Sequence, residues 1–247
     1  MAAREYVNRN IGDKTFWAVV NNAGIFTCYG PVDWCSIDEY RLSMEVNCFG
    51  GIRVTKAFDD LVKRSKGCVV SVSSIAGFVS ASGWGAYSVG KYGVEAWMDC
   101  LRREYSAFGV KCILLEPGVF KVDPASFAPF TSSPQNTMLL DEAAMASRVE
   151  KAWNGLSDER KEENISFVVD NYFHAITAIH PRPRYQCGWD ALLVWLPLSY
   201  LPTQWQVLRW KYVIDERFED FLHSLVMMRF PVPALAYEAL TTIMSTF

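Results

Sequence analysis

Three polar side chains have the types and the spacing needed to move a proton at an alcohol or carbonyl group: Ser74, Tyr87 and Lys91. Tyr87 and Lys91 are four residues apart, so on a helix their side chains share a face. A nearby ammonium favours the phenolate and lowers the pKa of a tyrosine from its ordinary value of about 10. Such a tyrosine can exchange a proton with a substrate oxygen near neutral pH, while the Ser74 hydroxyl holds that oxygen. The same spacing is common at the edge of ordinary amphipathic helices, so the pair alone is a weak signal.

Further motifs accompany this pair and strengthen the signal. Asn21-Asn22-Ala23-Gly24 follows an apolar run, Asn47 lies within a long helical stretch, and Pro117-Gly118 ends another apolar run. In open α/β sheets the ligand crevice lies outside the carboxyl ends of the parallel strands. The sequence therefore predicts that all of these motifs line one crevice.

Apolar patterning predicts the elements that position these residues. Three apolar runs show no polar alternation, as strands covered on both faces do: residues 16–20, 67–73 and 110–115. One helix is predicted from a capping box at Ser36 and Glu39 to about Lys63. Another spans about 87–108 and stops at Gly109, a suitable left-handed cap. Strands alternating with helices predict an α/β fold of parallel βαβ units with right-handed crossovers.

Composition and charge exclude several classes of protein. With 51% hydrophobic and 21% charged residues, the 247-residue chain is predicted to be globular. Its net charge of −3 and the lack of a basic run argue against nucleic acid as a partner. The seven cysteines form no Cys-x-x-Cys pair, which argues against a zinc site and favours reduced, buried thiols. His174, His180 and His223 have no ligand spacing, so no metal is predicted.

The order and spacing of these motifs resemble the short-chain dehydrogenase/reductase family. The family's Asn-Asn-Ala-Gly pattern is met at 21–24, its Ser-x12-Tyr-x3-Lys pattern by Ser74, Tyr87 and Lys91, its helix asparagine by Asn47 and its Pro-Gly turn at 117–118. Segments that include 92–96, 101–104, 180–182 and 188–191 resemble the retinol/hydroxysteroid dehydrogenase branch, near 3-hydroxybutyrate dehydrogenase. The resemblance covers residues 5–202, and the tail beyond about Trp210 matches no known pattern.

The resemblance implies a Rossmann-like parallel sheet and a role for each motif. Tyr87 would be the general acid/base, Lys91 would lower its pKa and bind the nicotinamide ribose, Ser74 would orient the substrate, and Asn47 would hold a water in the proton relay. Asn21, Asn22, Ala23 and Gly24 would shape the wall beside the adenine and ribose, and Pro117 and Gly118 would pack near the nicotinamide. NAD or NADP would be the cofactor. A small lipophilic alcohol or carbonyl, such as a retinoid or steroid, would be the substrate.

The domain organisation is predicted from a change of composition after Gly118. Residues 1–121 would be the remaining part of a Rossmann-like catalytic domain. Residues 122–210 would supply a substrate loop at 122–134, helices at 141–156 and 168–179, and a last edge strand at 184–187. Residues 211–247 would be a tail of unknown role. The apolar stretches at 192–201 and 222–247 do not clearly supply the roughly 20 apolar residues of a membrane span. Three roles stay open for these two stretches: they lie on a membrane surface, they pack in the core, or they line a substrate pocket.

The chain departs from the family pattern in front of Asn21. A dinucleotide enzyme of this kind needs a glycine-rich turn whose backbone N–H groups reach the pyrophosphate. No such turn precedes Asn21, and Gly83-Trp84-Gly85 is rejected as a substitute because it does not directly follow a strand. We therefore expect an amino-terminal truncation that removes the first βαβ half, poor binding of nicotinamide cofactor, and a bare edge at strand 16–20. Val122, where the family usually has threonine, is a second departure.

Two hypotheses follow from the sequence. The first is an NAD(P)-dependent oxidoreductase acting on the CH–OH group of a lipophilic alcohol. The second is a catalytically silent fragment that docks on a full-length relative, and homo-oligomers also stay open. By resemblance the compartment is the endoplasmic reticulum membrane surface or the mitochondrion, although the amino terminus carries no targeting signal.

Overall fold

The computed structural model describes residues 2–120, 165–204 and 206. The helices are α1 (Ala2–Asn10), α2 (Ile37–Met44), α3 (Gly50–Ala57), α4 (Asp59–Ser65), α5 (Gly85–Tyr105), α6 (Ser166–Thr177) and α7 (Leu196–Ser199). The strands are β1 (Ala18–Asn21), β2 (Cys68–Val72), β3 (Lys111–Pro117) and β4 (Arg184–Cys187). The predicted loop at 122–134, the helix at 141–156, Val122 and the tail at 211–247 lie outside the described residues.

The four described strands form one parallel sheet in the order β1-β2-β3-β4. The neighbouring residues Val69 and Val70 point to opposite faces of the sheet, and each is fully buried in a different apolar cluster. Helix α5 covers one face through Val94 and Met98, and α6 covers the other through Val168. Burial on both faces explains the unbroken apolar runs and confirms the predicted α/β class.

Strand β1 is the edge of the sheet within the described part of the chain. It pairs with β2 alone there, and Val20 on it is 40% exposed while Val19 is buried. The sequence predicted such an edge. The truncation offered as its cause stays a prediction.

The predicted helix at 36–63 begins as expected and is then interrupted. The Ser36 hydroxyl accepts from the Glu39 backbone, and the Glu39 carboxylate accepts from the Ser36 backbone, so the capping box is present. A five-residue π-helical segment, Glu45–Phe49, separates α2 from α3, and the chain turns again at Phe58 before α4. The prediction of one continuous helix was therefore wrong, because the spacing of apolar residues does not reveal where an α-helix widens into a π-helical turn.

The other helix and strand predictions agree closely with the structure. Helix α5 is followed by a 3₁₀ turn, and Gly109 then takes the left-handed conformation with φ of 74°, as the cap prediction required. Helix α6 lies within two residues of its predicted bounds, and β4 coincides with the predicted edge strand. No described helix is both long and apolar enough to cross a membrane.

The chain divides into two compact units, Met1–Tyr200 and Leu201–Phe247. The first contains the whole described sheet. The boundaries predicted at 121 and 210 stay predictions.

Among the cysteines, the expectation of reduced thiols is wrong for one pair, because Cys28 and Cys35 form a disulfide. Both lie in the connection between β1 and α2, which their bond closes into a loop.

Candidate active site

A cavity of about 540 Å³ lies at the carboxyl ends of β1, β2 and β3. Seven of the residues predicted for the site line it: Asn22, Gly24, Ser74, Tyr87, Lys91, Pro117 and Gly118. The structure therefore brings together residues spread over almost a hundred positions of sequence. Asn21, Ala23 and Asn47 do not line the cavity. Asn47 contacts its wall through the backbone of Ile25.

The Ser74 and Tyr87 hydroxyls meet in this cavity. Ser74 follows β2, where its side chain caps a 3₁₀ turn by accepting from the Ala76 backbone at 3.2 Å. Tyr87 lies in the first turn of α5 and receives a hydrogen bond from the Ser74 hydroxyl. The Lys91 Nζ atom lies 5.5 Å from the centre of the Tyr87 ring and donates to the Val72 carbonyl at 3.0 Å. A substrate oxygen placed between Ser74 and Tyr87 would contact both hydroxyls.

Burial dominates the electrostatics of this group. It raises the pKa of Tyr87 above the ordinary value, and the hydrogen bond from Ser74 opposes that rise. It also lowers the pKa of Lys91 to about 8, since Lys91 is only 3% exposed. The sequence predicted a lowered pKa for Tyr87. The structure instead removes both groups from water, which favours the neutral phenol over the phenolate and the neutral amine over the ammonium.

Asn47 fixes the wall of the cavity from the π-helical segment. Its side-chain amide forms two hydrogen bonds with the backbone of Ile25, accepting from the N–H at 2.8 Å and donating to the C=O at 2.9 Å. It also donates to the Ser43 hydroxyl at 3.0 Å. A Cβ atom added to Gly24 would lie 3.2 Å from the Asn47 Oδ1 and 3.3 Å from the Lys91 Nζ. Gly24 therefore lets this loop approach the lysine closely.

The two asparagines after β1 have different partners. The Asn21 amide donates to Thr55 at 2.9 Å and to Ser71 at 3.1 Å, which ties β1 to α3 and β2. The Asn22 Oδ1 accepts from the Tyr172 hydroxyl of α6, across the mouth of the cavity. Sequence reasoning missed Tyr172, because nothing local links a tyrosine in α6 to an asparagine 150 positions earlier.

Asp190 is a second residue that sequence reasoning missed. Its Oδ2 accepts from the Val119 backbone at 2.8 Å and holds the turn after β3. Burial raises the pKa of this carboxyl. A Cβ atom on Gly118 would lie 2.0 Å from the Asp190 Oδ1, so only glycine fits there. The sequence assigned 188–191 to a family resemblance, which gave Asp190 no role.

The rest of the described lining is largely apolar. It includes Ile25, Phe26, Trp84, Phe120, Val168 and Val169. Trp84 lines the cavity, and Trp195 packs against it with ring centres 6.0 Å apart. Trp189 is 56% exposed and stacks edge-on with Phe167.

The cavity suits the nicotinamide half of a dinucleotide. The Tyr87 hydroxyl and the Lys91 amine would offer hydrogen bonds to a ribose, and the glycines at 24 and 118 leave room for the Asn47, Lys91 and Asp190 side chains beside the cavity wall. Gly83-Trp84-Gly85 forms the turn that starts α5, with Gly83 against the Tyr29 ring. Within the described residues, no glycine-rich turn precedes β1.

Comparison with known proteins agrees with this geometry. The family profile described as short chain dehydrogenase matches residues 2–128, just over half of the chain. Retinol dehydrogenase 16 of Mus musculus is 44% identical over 214 residues, covering 82% of this chain and 66% of that protein. The 3beta-hydroxysteroid dehydrogenase dhs-16 of Caenorhabditis elegans is 39% identical over 230 residues, covering 83% of this chain and 55% of that protein. The predicted retinol/hydroxysteroid branch is thereby confirmed. The chain spans between about half and two thirds of these relatives.

Solved structures show the same fold. A short-chain dehydrogenase from Streptomyces avermitilis superposes with a TM-score of 0.64 at 23% identity, covering 89% of this chain and 74% of its own. A short chain dehydrogenase/reductase from Burkholderia phymatum, solved in complex with NAD, gives a TM-score of 0.62 at 16% identity, covering 83% and 72%.

Proposed function

Since the chain belongs to the short-chain dehydrogenase family, we propose that the protein oxidises the hydroxyl group of a lipophilic alcohol, or reduces the matching carbonyl, with NAD or NADP. One observation carries the proposal. The Tyr87 phenol, the Ser74 hydroxyl and the Lys91 amine lie together at one cavity at the carboxyl edge of a parallel sheet. That set can hold a substrate oxygen and move its proton.

Each residue has a distinct part in this chemistry. Ser74 donates a hydrogen bond that orients the substrate oxygen. Tyr87 gives the proton to a carbonyl, or takes it from an alcohol. Lys91, at 5.5 Å from the Tyr87 ring, supplies the positive charge that stabilises the phenolate left behind. A bound nicotinamide supplies or accepts the hydride. Gly24, Lys91 and Gly118 are the residues here that would hold its ring and ribose.

The substrate class follows from the lining of the cavity. Uncharged aromatic and aliphatic side chains line the cavity, among them Phe26, Trp84, Phe120 and Val168. An apolar molecule that binds there is stabilised by the hydrophobic effect, and few polar groups lose their contact with water. Relatives carry the names retinol dehydrogenase and hydroxysteroid dehydrogenase. A retinoid or steroid alcohol is therefore the first substrate to test.

The catalytically silent alternative receives no support from the comparisons. The intact Ser74, Tyr87 and Lys91 group also argues against it, because a chain without turnover has no need to keep a lysine buried at a cost in stability. The expected compartment, homo-oligomers and pairing with a full-length relative stay predictions.

The test compares two tyrosine variants of α5. Tyr87→Phe removes the proton donor, and we expect NAD(P)-linked turnover of a retinoid or steroid alcohol to fall by about 10²-fold or more. Tyr92→Phe is the matched control, since Tyr92 lies on the same helix and is 43% exposed. It should keep normal turnover. The proposal fails if Tyr87→Phe remains active, or if the unsubstituted protein turns over none of these alcohols.

A further inference from the structure

Helix α5 carries a titratable side chain at every fourth residue from the cavity inward: Tyr87, Lys91, Glu95 and Asp99. Residues at this spacing are neighbours on a helix. Lys91 and Glu95 are 3% and 7% exposed, so both are removed from water. A buried charge is costly unless an opposite charge compensates it. Lys91 donates its hydrogen bond to the neutral Val72 carbonyl, which leaves its charge to be balanced elsewhere.

Glu95 is the carboxylate that faces Lys91, and Arg184 at the start of β4 holds it. Arg184 Nη1 pairs with Glu95 and also with Glu116 of β3, the latter at 2.5 Å. Its Nη2 pairs with Asp99 at 2.9 Å. One guanidinium therefore clamps carboxylates from α5 and β3.

The charges of this cluster balance. Within the described residues, Glu95, Asp99 and Glu116 face Lys91, Arg102 and Arg184. Arg102 pairs with Asp99, and Glu116 also accepts from the Gln186 amide. Each of the three carboxylates thus pairs with an arginine. Glu95 is the member placed next to the lysine.

Glu95 also reaches the turn that carries Ser74. A Cβ atom on Gly77 would lie 2.5 Å from the Ser73 Oγ and 3.1 Å from the Glu95 Oε1, so both of these atoms lie beside Gly77 of the 3₁₀ turn. Neither of these two buried atoms has a hydrogen-bond partner within the described residues. Gly77 leaves the space in which the carboxylate touches the segment preceding Ser74.

We propose that Glu95 is a positioning residue of the candidate active site, which keeps the Lys91 side chain charged and in place while Arg184 of β4 holds the carboxylate. The proposal assigns a role beyond the proposed function and rests on that function for its catalytic meaning. It links the last described strand of the sheet to the proton-transfer group through Arg184, Glu95 and Lys91.

The electrostatics agree with this geometry. Burial lowers the pKa of Lys91 to about 8, and the charge of Glu95 acts in the opposite direction. Burial and the neighbouring Glu116 raise the pKa of Glu95, while Ser73 and Arg184 oppose that rise. Removing the Glu95 charge leaves the Lys91 ammonium buried without a carboxylate beside it. The lysine then loses its proton at a lower pH.

The experiment measures the titration of Lys91 directly, without cofactor or substrate. The full chain is produced with carbon-13 lysine, the Lys91 signal is assigned with Lys91→Arg, and its Cε shift is followed against pH by NMR. We expect Glu95→Gln to lower the Lys91 pKa by about one unit or more, because the lost charge lies one helical turn away in a partly screened interior. Asp99→Asn is the matched control, because Asp99 lies another helical turn away and should move this pKa by less than half as much.

Three results would overturn the assignment. The Lys91 pKa could stay unchanged in Glu95→Gln, it could rise, or Asp99→Asn could shift it equally. If Glu95→Gln does not fold, the unsubstituted chain labelled with carbon-13 in both lysine and glutamate gives the same answer. The Lys91 signal should then show a second step at the pH where Glu95 itself titrates, and a single step contradicts the proposal. None of these readouts needs turnover, so the inference and the proposed function can fail separately.

Discussion

Gly118→Ala tests whether the turn after β3 is shaped around Asp190. The added methyl group would lie 2.0 Å from Oδ1, 2.4 Å from Oδ2 and 2.5 Å from Cγ of Asp190. Contacts below 3 Å are not tolerated, and these atoms belong to a short side chain whose Oδ2 already accepts from the Val119 backbone. The carboxylate must therefore leave its position or the turn must move.

The expected loss of stability follows from these contacts. Displacing the carboxylate removes a charge-assisted hydrogen bond worth about 1.5–3 kcal/mol. Forcing a methyl group into a filled site costs about 1–3 kcal/mol more. We expect the free energy of unfolding to fall by about 3–5 kcal/mol, a large part of the about 5–15 kcal/mol that holds a domain folded.

Urea unfolding followed by tryptophan fluorescence measures this change. Gly50→Ala is the control, because its methyl group would meet only the Glu45 carbonyl, at 3.4 Å, within a helix. That change should be neutral or stabilise by about 0.5–1 kcal/mol. On an Asp190→Ala background the clash is absent, so Gly118→Ala should cost much less there. Equal costs on both backgrounds would refute the reasoning.

Three further predictions concern the cavity. Folding lowers the pKa of Lys91 from 10.5 to about 8. The charged lysine therefore destabilises the folded state fully below about pH 8, and this loss of stability disappears as the pH rises past 10.5. Lys91→Met should therefore raise the free energy of unfolding at pH 7 by about 1–3 kcal/mol, with a smaller gain near pH 10, and a less stable variant at pH 7 would contradict this. Asn47→Ala should lower the free energy of unfolding by about 2–4 kcal/mol, because the N–H and C=O groups of Ile25 lose their hydrogen-bond partner. Urea unfolding measures the change. Tyr172→Phe frees Asn22 at the mouth of the cavity and should alter KM for the alcohol more than kcat, which steady-state kinetics would show.

The fold was predictable from sequence because its signals are local. Unbroken apolar runs gave the buried strands, the capping box gave the start of α2, and Gly109 gave the end of α5. The π-helical segment was not predictable, since Glu45–Phe49 keeps the apolar spacing of an ordinary helix. The disulfide between Cys28 and Cys35 was missed because spacing alone does not show that two loop cysteines meet.

The site was predictable only where its residues form a motif. Ser74, Tyr87 and Lys91 lie close together in sequence, so their spacing carries information. Tyr172 lines the cavity from α6, and Asp190 holds the turn after β3 through the Val119 backbone, and only the folded chain brings these later residues there. The pKa of Tyr87 was predicted in the wrong direction, because spacing gives the distance to a lysine but not the burial of both groups.

Transfer of a labelled hydride tests the central claim most directly. The protein is incubated with NADH or NADPH that carries deuterium at the nicotinamide C4 position and with a retinoid aldehyde or a ketosteroid. Mass spectrometry then measures the alcohol product. The proposed function predicts one deuterium in that alcohol, and Tyr87→Phe should suppress its formation. A folded protein that yields no labelled alcohol from either cofactor would contradict the account.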